Sequence, residues 1–396
     1  MGGSPAGGGG GHVQGLPHAL SIEAHRIHQG SGTHDTEGVA MATVTIEELL
    51  QLLVAQGGSD LHISAGSPPK VRVDGHMYDS EYEPMRPEAT KALVYSFLTS
   101  DQIARFERDF ELDLSFGLEG LGRFRVNVFY QRGSVASVLR MIPEQVRPFD
   151  QLGLPRAMCE QIAALPRGLV LVTGATGSGK STTLAAMLDY VNDTRADHVL
   201  TIEDPIEFLH RNKGCLFNQR EVGSDTKSFR SALKSALRED PDVVLVGEMR
   251  DTETIEAALT IAETGHLTFG TLHTSDCVQS INRVIDVFPA HQQQQIRTQL
   301  SFTLQAVFCQ QLIPAATGSG RVLALEVMMA NSAVRSLIRD DKAHQIYSII
   351  QTGGKLGMQT MNQALGDLVR QNRITFEQAM QHSGDIEDLK RTLQMA

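Results

Sequence analysis

Residues 168–182 read Gly168-Leu-Val-Leu-Val-Thr-Gly174-Ala175-Thr176-Gly177-Ser178-Gly179-Lys180-Ser181-Thr182. The run before Gly174 is apolar and β-branched, the composition of a short strand buried on both faces. From Gly174 to Ser181 every fixed position of GxxxxGK[ST] is filled. In such a loop glycine-rich backbone turns its N–H groups onto phosphate oxygens, Lys180 reaches the β- and γ-phosphates, and the Ser181 hydroxyl ligates Mg²⁺. A helix expected over Ser181–Val191 points its positive N-terminal end at the same anion. Strand before and helix after are the context this motif requires, so Gly174–Thr182 is the expected seat of ATP, with Mg²⁺ as its companion ion.

Working outward toward the C-terminus, hydrolysis needs one carboxylate for the metal's water shell and one to orient the attacking water. Asp242-Val-Val-Leu-Val-Gly-Glu248 is an apolar strand ending in an acid, which assigns Glu248 to Mg²⁺ through water. Val199–Ile202 is another short apolar strand, and it runs into Glu203-Asp204-Pro-Ile-Glu207 at the sheet edge where α/β proteins bind their ligands. One of these carboxylates is expected to be the general base. Thr264–Thr274 is a further β-like segment with His266 and His273 near its ends. Two histidines without a third ligand make a poor metal site, so sensing of the γ-phosphate is their better functional reading. Alternating strand and helix across residues 150–330 predicts a doubly wound, RecA-like α/β core.

Toward the N-terminus, Thr45 with Glu48 forms a capping-box signature, and Ile46, Leu49, Leu50, Leu53 and Val54 recur at helical spacing up to Gly57-Gly58. Short β-like segments follow at Asp60–Ser64 and Lys70–Val73, then helical stretches near Pro87–Leu98 and Asp101–Phe106, the pattern of a small α+β domain. Gly122–Tyr130 alternates strictly, with Phe124, Val126 and Val128 on one face and Arg123, Arg125 and Asn127 on the other. A second strand, Ser134–Ile142, carries Arg140 and pairs with it as a hairpin through Gln131-Arg132-Gly133. These arginines either form a solvated face or act at the nucleotide of a neighbouring subunit.

The chain has 396 residues, 41% hydrophobic and 20% charged, which supplies more than one core and excludes a disordered or collagen-like chain. A net charge of −11 offers no general attraction to nucleic acid or anionic lipid. No apolar run approaches the roughly 18–20 residues of a membrane-spanning helix, so a soluble protein is expected. Cys159, Cys215, Cys277 and Cys309 are far apart with no CxxC pair, which fits a reducing cytoplasm. Residues 1–41 are Gly-rich with scattered histidines and no signal-peptide pattern; they are expected to be disordered, and Met41 is an alternative start.

Ser59–His62 (SDLH), Gly122–Asn127 (GRFRVN), Gly174–Thr182, Ile202–Phe208 (IEDPIEF), Leu237–Asp242 (LREDPD), Val246–Asp251 (VGEMRD) and Thr264–Thr274 (TGHLTFGTLHT) occur in this order. Together they resemble the secretion ATPase superfamily, and within it the PilT-type retraction ATPases of type IV pili. The resemblance implies a RecA-like P-loop NTPase core over residues 154–396 with a helical subregion at 330–396, reached through a linker at 146–153 from a small PAS-like α+β domain at 42–145. It further implies a Mg²⁺-dependent ATPase, assembled as a homohexamer, that works on an inner-membrane pilus platform protein from the cytoplasmic side; the net charge of −11 argues against a nucleic-acid partner.

By the same resemblance Glu203, Asp204 and Glu207 form an Asp box with Glu207 as general base, and Glu248 is the Walker B acid. His266 and His273 form a His box, and Arg123, Arg125 and Arg140 approach the nucleotide. Ala333–Asp340 resembles a motif of the retraction ATPases, with Val, Ser and Asp in place of Ile, Asn and Glu. Pilus-extension and type II secretion ATPases resemble it in the core but carry a longer N-terminal region and a tetracysteine loop. The accessory PilU-type retraction ATPase, a nucleotide-gated switch and a nucleic-acid motor are the other readings.

Overall fold

The computed structural model describes residues 44–73, 75–143 and 145–394; the tail expected at 1–41 lies outside them. The strands of the described residues fall into two sheets. The first contains β1 (Asp60–Ile63), β2 (Lys70–Val73), β3 (His76–Asp79), β4 (Glu111–Leu118), β5 (Gly122–Gln131) and β6 (Ser134–Ile142). Their order is β3-β2-β1-β6-β5-β4, and every neighbouring pair is antiparallel. The second contains β7 (Gly168–Thr173), β8 (His198–Glu203), β9 (Leu216–Glu221), β10 (Val243–Val246), β11 (Leu267–Leu272), β12 (Leu304–Pro314) and β13 (Arg321–Met329). Here the order is β13-β12-β7-β11-β10-β8-β9, parallel throughout except for the β12–β13 hairpin.

Local chemistry accounts for these elements. Thr45 caps the helix Ile46–Ala55 reciprocally with Glu48, and Leu49, Leu50 and Leu53 from its apolar stripe are fully buried. They join Phe106, Phe124, Val126, Val128 and Leu139 in a core on one face of the first sheet. The alternation in β5 therefore leaves Arg123, Arg125 and Asn127 on the opposite face. Arg132-Gly133 is the two-residue turn that joins β5 to β6. The strands β3 and β4 were not anticipated. All four residues of the edge strand β3 are exposed, so it has no apolar alternation, and β4 follows directly on the helix Ser100–Asp109.

Every residue of β7, β10 and β11 is buried because helices cover both faces of the second sheet. Leu169 and Leu171 of β7 pack with Ile255, Leu259 and Ile281 on one face. Val170 and Val172 pack with Leu184, Met187 and Leu188 of the helix Lys180–Thr194 on the other. The parallel registers Leu272↔Thr173 and Val246↔Ile202 bring the carboxyl ends of β7, β8, β10 and β11 to one edge.

The last helices pack on the β12–β13 hairpin: Ile313, Val322 and Ala324 meet Met361, Leu365, Leu368 and Leu389. Glu326 of β13, 3% exposed, accepts the Cys277 N–H at 2.7 Å and the Met361 N–H at 3.1 Å. One carboxylate thus holds the first residue of two helices, Cys277–Asp286 and Met361–Arg370.

Candidate active site

The loop after β7 is shaped by its glycines. Gly174 has φ +135°, and a Cβ there would sit 2.4 Å from the Gln310 carbonyl oxygen and 2.7 Å from Ser178 Oγ, so no other residue fits. Gly179, at φ +92°, stands at the N-cap of Lys180–Thr194 without a side-chain cap, which leaves the helix's first N–H groups to a ligand. Ser178 Oγ is buried and, among the described residues, has no hydrogen-bond partner. An uncapped helix start beside an unsatisfied hydroxyl is a cradle for phosphate oxygens. Lys180 Nζ donates to the Gly174 and Ala175 carbonyls at 2.9 and 3.1 Å. Burial lowers its pKa, and the neighbouring Glu248 and Glu207 carboxylates oppose that shift.

A cleft of about 530 Å³ opens over this loop, lined among others by Lys180, Ser181, Glu203, Asp204, Glu207 and Glu248. The acids reach it because Glu203 ends β8, Asp204 and Glu207 follow it, and Glu248 follows β10 at the aligned edge. Glu248 Oε1 accepts from Arg250 Nε and lies 2.9 Å from His273 Nε2. Glu203 is 8% exposed; it accepts from Thr201 Oγ1 at 2.7 Å and from the Glu207 N–H at 3.3 Å. Burial pushes its carboxyl up to about 7. Glu207, by contrast, is exposed in the cleft wall.

Arg125 of β5 and His273 also line this cleft. Arg125 therefore faces the phosphate loop of its own chain, where the sequence had left a neighbouring subunit's nucleotide open. Three other expected residues are placed elsewhere. His266 precedes β11 and so lies at the opposite edge of the sheet, roughly 20 Å of strand from His273. Its Nδ1 is 2.9 Å from the Ile261 carbonyl. Arg140 pairs with Asp60 at 2.7 Å on the first sheet. Arg123 donates to Ser115 Oγ at 2.6 Å and meets Glu221 at 3.5 Å. Within this chain none of the three lines the cleft: strand direction carries His266 away from it, and nearby carboxylates or hydroxyls hold the two guanidiniums.

Sequence reasoning missed Arg250 and Arg321, which also line the cleft. Arg250 stands two residues past Glu248 and was legible from that spacing, whereas nothing near Arg321 signals its approach. It missed as well a second cleft of about 390 Å³ on the far side of Gly179 and Thr182, lined by Arg147, Leu312, Leu323 and Arg373 among others.

Among the described residues no group of three His, Cys, Asp or Glu side chains could hold a metal by itself. A hydroxyl at Ser181 and a carboxylate at Glu248 on one cleft still fit an Mg²⁺ ion that takes its other oxygens from phosphate and water. Among the same residues no helix is long and apolar enough to cross a membrane.

A parallel sheet with helices on both faces, and a GxxxxGKS loop feeding acids at its carboxyl edge, define a P-loop nucleotide-binding protein with a RecA-like core. The chain belongs to the type II/IV secretion system protein family, whose model matches residues 35–383. It is 53% identical over 334 residues to the type IV pilus retractation ATPase PilT of Pseudomonas aeruginosa, covering 84% of this chain and 96% of that one. It is 50% identical over 321 residues to the twitching motility protein of Neisseria gonorrhoeae, covering 81% and 86%. Its fold matches the crystal structure of the pilus retraction motor PilT with bound ADP at a TM-score of 0.82 and 50% identity, over 88% of this chain and 99% of that chain.

Proposed function

We propose that this chain is an ATP-hydrolysing motor that powers type IV pilus retraction. The observation that carries the reading is the convergence of Lys180, Ser181, Glu207, Glu248, His273 and Arg125 on one cleft, in a chain half identical to a pilus retraction motor. ATP is bound with its phosphates on residues 174–182, while its nucleoside takes the second cleft across Gly179 and Thr182. Lys180 is drawn from the loop carbonyls onto the β- and γ-phosphates. Ser181 and Glu248 would hold an Mg²⁺ ion, which would supply charge neutralisation at those phosphates.

Glu207 takes the proton of the attacking water. It is exposed to the cleft, whereas burial raises the Glu203 carboxyl to about 7 and Glu248 is engaged by Arg250 and His273. His273 and Arg125 stabilise charge developing on the transferred group. The assembled form is a homohexamer acting from the cytoplasmic side on an inner-membrane platform protein of the pilus machinery. Its domain motions on hydrolysis return pilin to the membrane.

The test is hydrolysis by the purified full chain with and without Mg²⁺, alongside deletion in a piliated cell. Glu207→Gln should retain ATP binding and lower kcat by at least about a hundredfold. Cells lacking the protein should be over-piliated and unable to twitch. Bald cells would assign the chain to pilus extension, and stimulation by DNA would make it a nucleic-acid motor.

A further inference from the structure

Arg123 is turned away from the cleft, and what it meets is a buried carboxylate with a second task. Glu221 closes β9 at the edge of the second sheet and is 3% exposed. On one side its Oε1 accepts from Ser115 Oγ at 2.6 Å, and Ser115 in turn accepts from the Arg123 guanidinium at 2.6 Å. Arg123 also reaches Glu221 Oε2 at 3.5 Å. On the other side, the same Oε2 accepts the backbone N–H of Ile206 at 3.2 Å. Ile206 is itself buried, and it sits next to Glu207 in the acidic loop that follows β8. Ser224 Oγ, at 3.3 Å, completes the donor set. A buried carboxylate with this many donors is costly to disturb, because each lost partner leaves an unsatisfied charge.

We infer that Glu221 is a positioning residue that couples the seating of the first sheet, through Ser115 and Arg123, to the placement of Glu207 over the phosphate loop. The first sheet contributes Arg125 to the cleft directly, and Glu221 makes the same movement of that sheet felt at the acidic loop. A shift of the β4–β5 edge by a fraction of an ångström redistributes hydrogen bonds on Glu221 and so the anchorage of Ile206. Near-attack geometry tolerates such displacements poorly. Hydrolysis then proceeds only when the first sheet is docked, whichever neighbour or load moves it. This inference rests on the reading of Glu207 as general base.

The experiment measures steady-state hydrolysis and, separately, binding of a fluorescent ATP analogue by the full chain. The variants are Glu221→Ala, Glu221→Gln, Arg123→Ala, Ser115→Ala and the double variant Arg123→Ala with Glu221→Ala. Glu221→Ala should lower kcat at least tenfold with analogue affinity within about threefold of wild type. Glu221→Gln retains an acceptor for Ile206 but presents an amide to Ser115 and Arg123, and it should lose less. Arg123→Ala should lower kcat alone, and adding it to Glu221→Ala should change nothing further, since the link is already cut.

Multiplying losses in the double variant, or a Glu221→Ala rate within twofold of wild type, overturns the coupling. Equal loss of affinity and rate would make Glu221 a structural residue. Should Glu221→Ala fail to fold, Ser115→Ala and Arg123→Ala test the same link from half-buried positions: a kcat loss at unchanged affinity supports it, and wild-type rates overturn it. If Glu207→Gln hydrolyses normally, the assignment of the base has failed, and that outcome is read separately from the cycle.

Discussion

Replacing Glu203 by glutamine should make the nucleotide-free protein more stable than wild type at pH 8 and equally stable near pH 4. The carboxyl is buried beneath the cleft, and burial raises it from an ordinary 4.5 to about 7. Between these values the folded chain holds a proton that the unfolded chain has released, so wild-type stability falls as pH rises through the window and levels off above it. The separation corresponds to about 3 kcal/mol at full ionisation. Glutamine mimics the protonated acid: it accepts from the Glu207 N–H, and the Thr201 hydroxyl rotates to receive its amide. Urea unfolding of both proteins from pH 4 to pH 9 gives the difference directly. It should be near zero at the acid end and approach about 3 kcal/mol in favour of glutamine above pH 7.5. A difference that is constant with pH, or that grows toward acid, would refute the assignment of a neutral carboxyl at this position.

Lys180→Ala removes a charged contact worth about 1.5–3 kcal/mol, so ATP affinity measured by titration should fall roughly 10- to 150-fold. Gly174→Ala places a methyl against the Gln310 carbonyl in a conformation that costs about 1–3 kcal/mol for other residues; binding should be lost and the unfolding midpoint lowered. Because Arg125 faces its own chain's cleft, Arg125→Ala subunits mixed with Lys180→Ala subunits should recover no hydrolysis, and recovery in the mixture would show that the arginine acts across a boundary.

How much of this was legible depends on how local the signal was. The phosphate loop, the strand before it and the two acidic strand ends were readable because a GxxxxGK[ST] match and runs of buried β-branched residues are short-range patterns. The face carrying Arg123 and Arg125 was readable from two-residue alternation, yet the pattern could not say which guanidinium enters the cleft. That is settled by Ser115 and Glu221, the latter 98 residues away in the chain. His266 and His273 look symmetrical in sequence, and only the direction of β11 separates them. The exposed edge strand β3 and the arrival of Arg321 left no trace, since edge pairing and long-range approach impose no periodicity.

The carboxylate of Glu326 has a practical bearing on how this ATPase can be cut down. It is buried, its two oxygens are spoken for by Cys277 and Met361, and burial raises its pKa. Ending the chain before residue 360 would strip one donor from it and bare Ile313, Val322 and Ala324 to water. The same carboxylate also anchors the helix that follows His273, so the damage would travel straight to the catalytic edge. A minimal hydrolytic fragment therefore has to keep its final helices, although none of them supplies an acid to the phosphates.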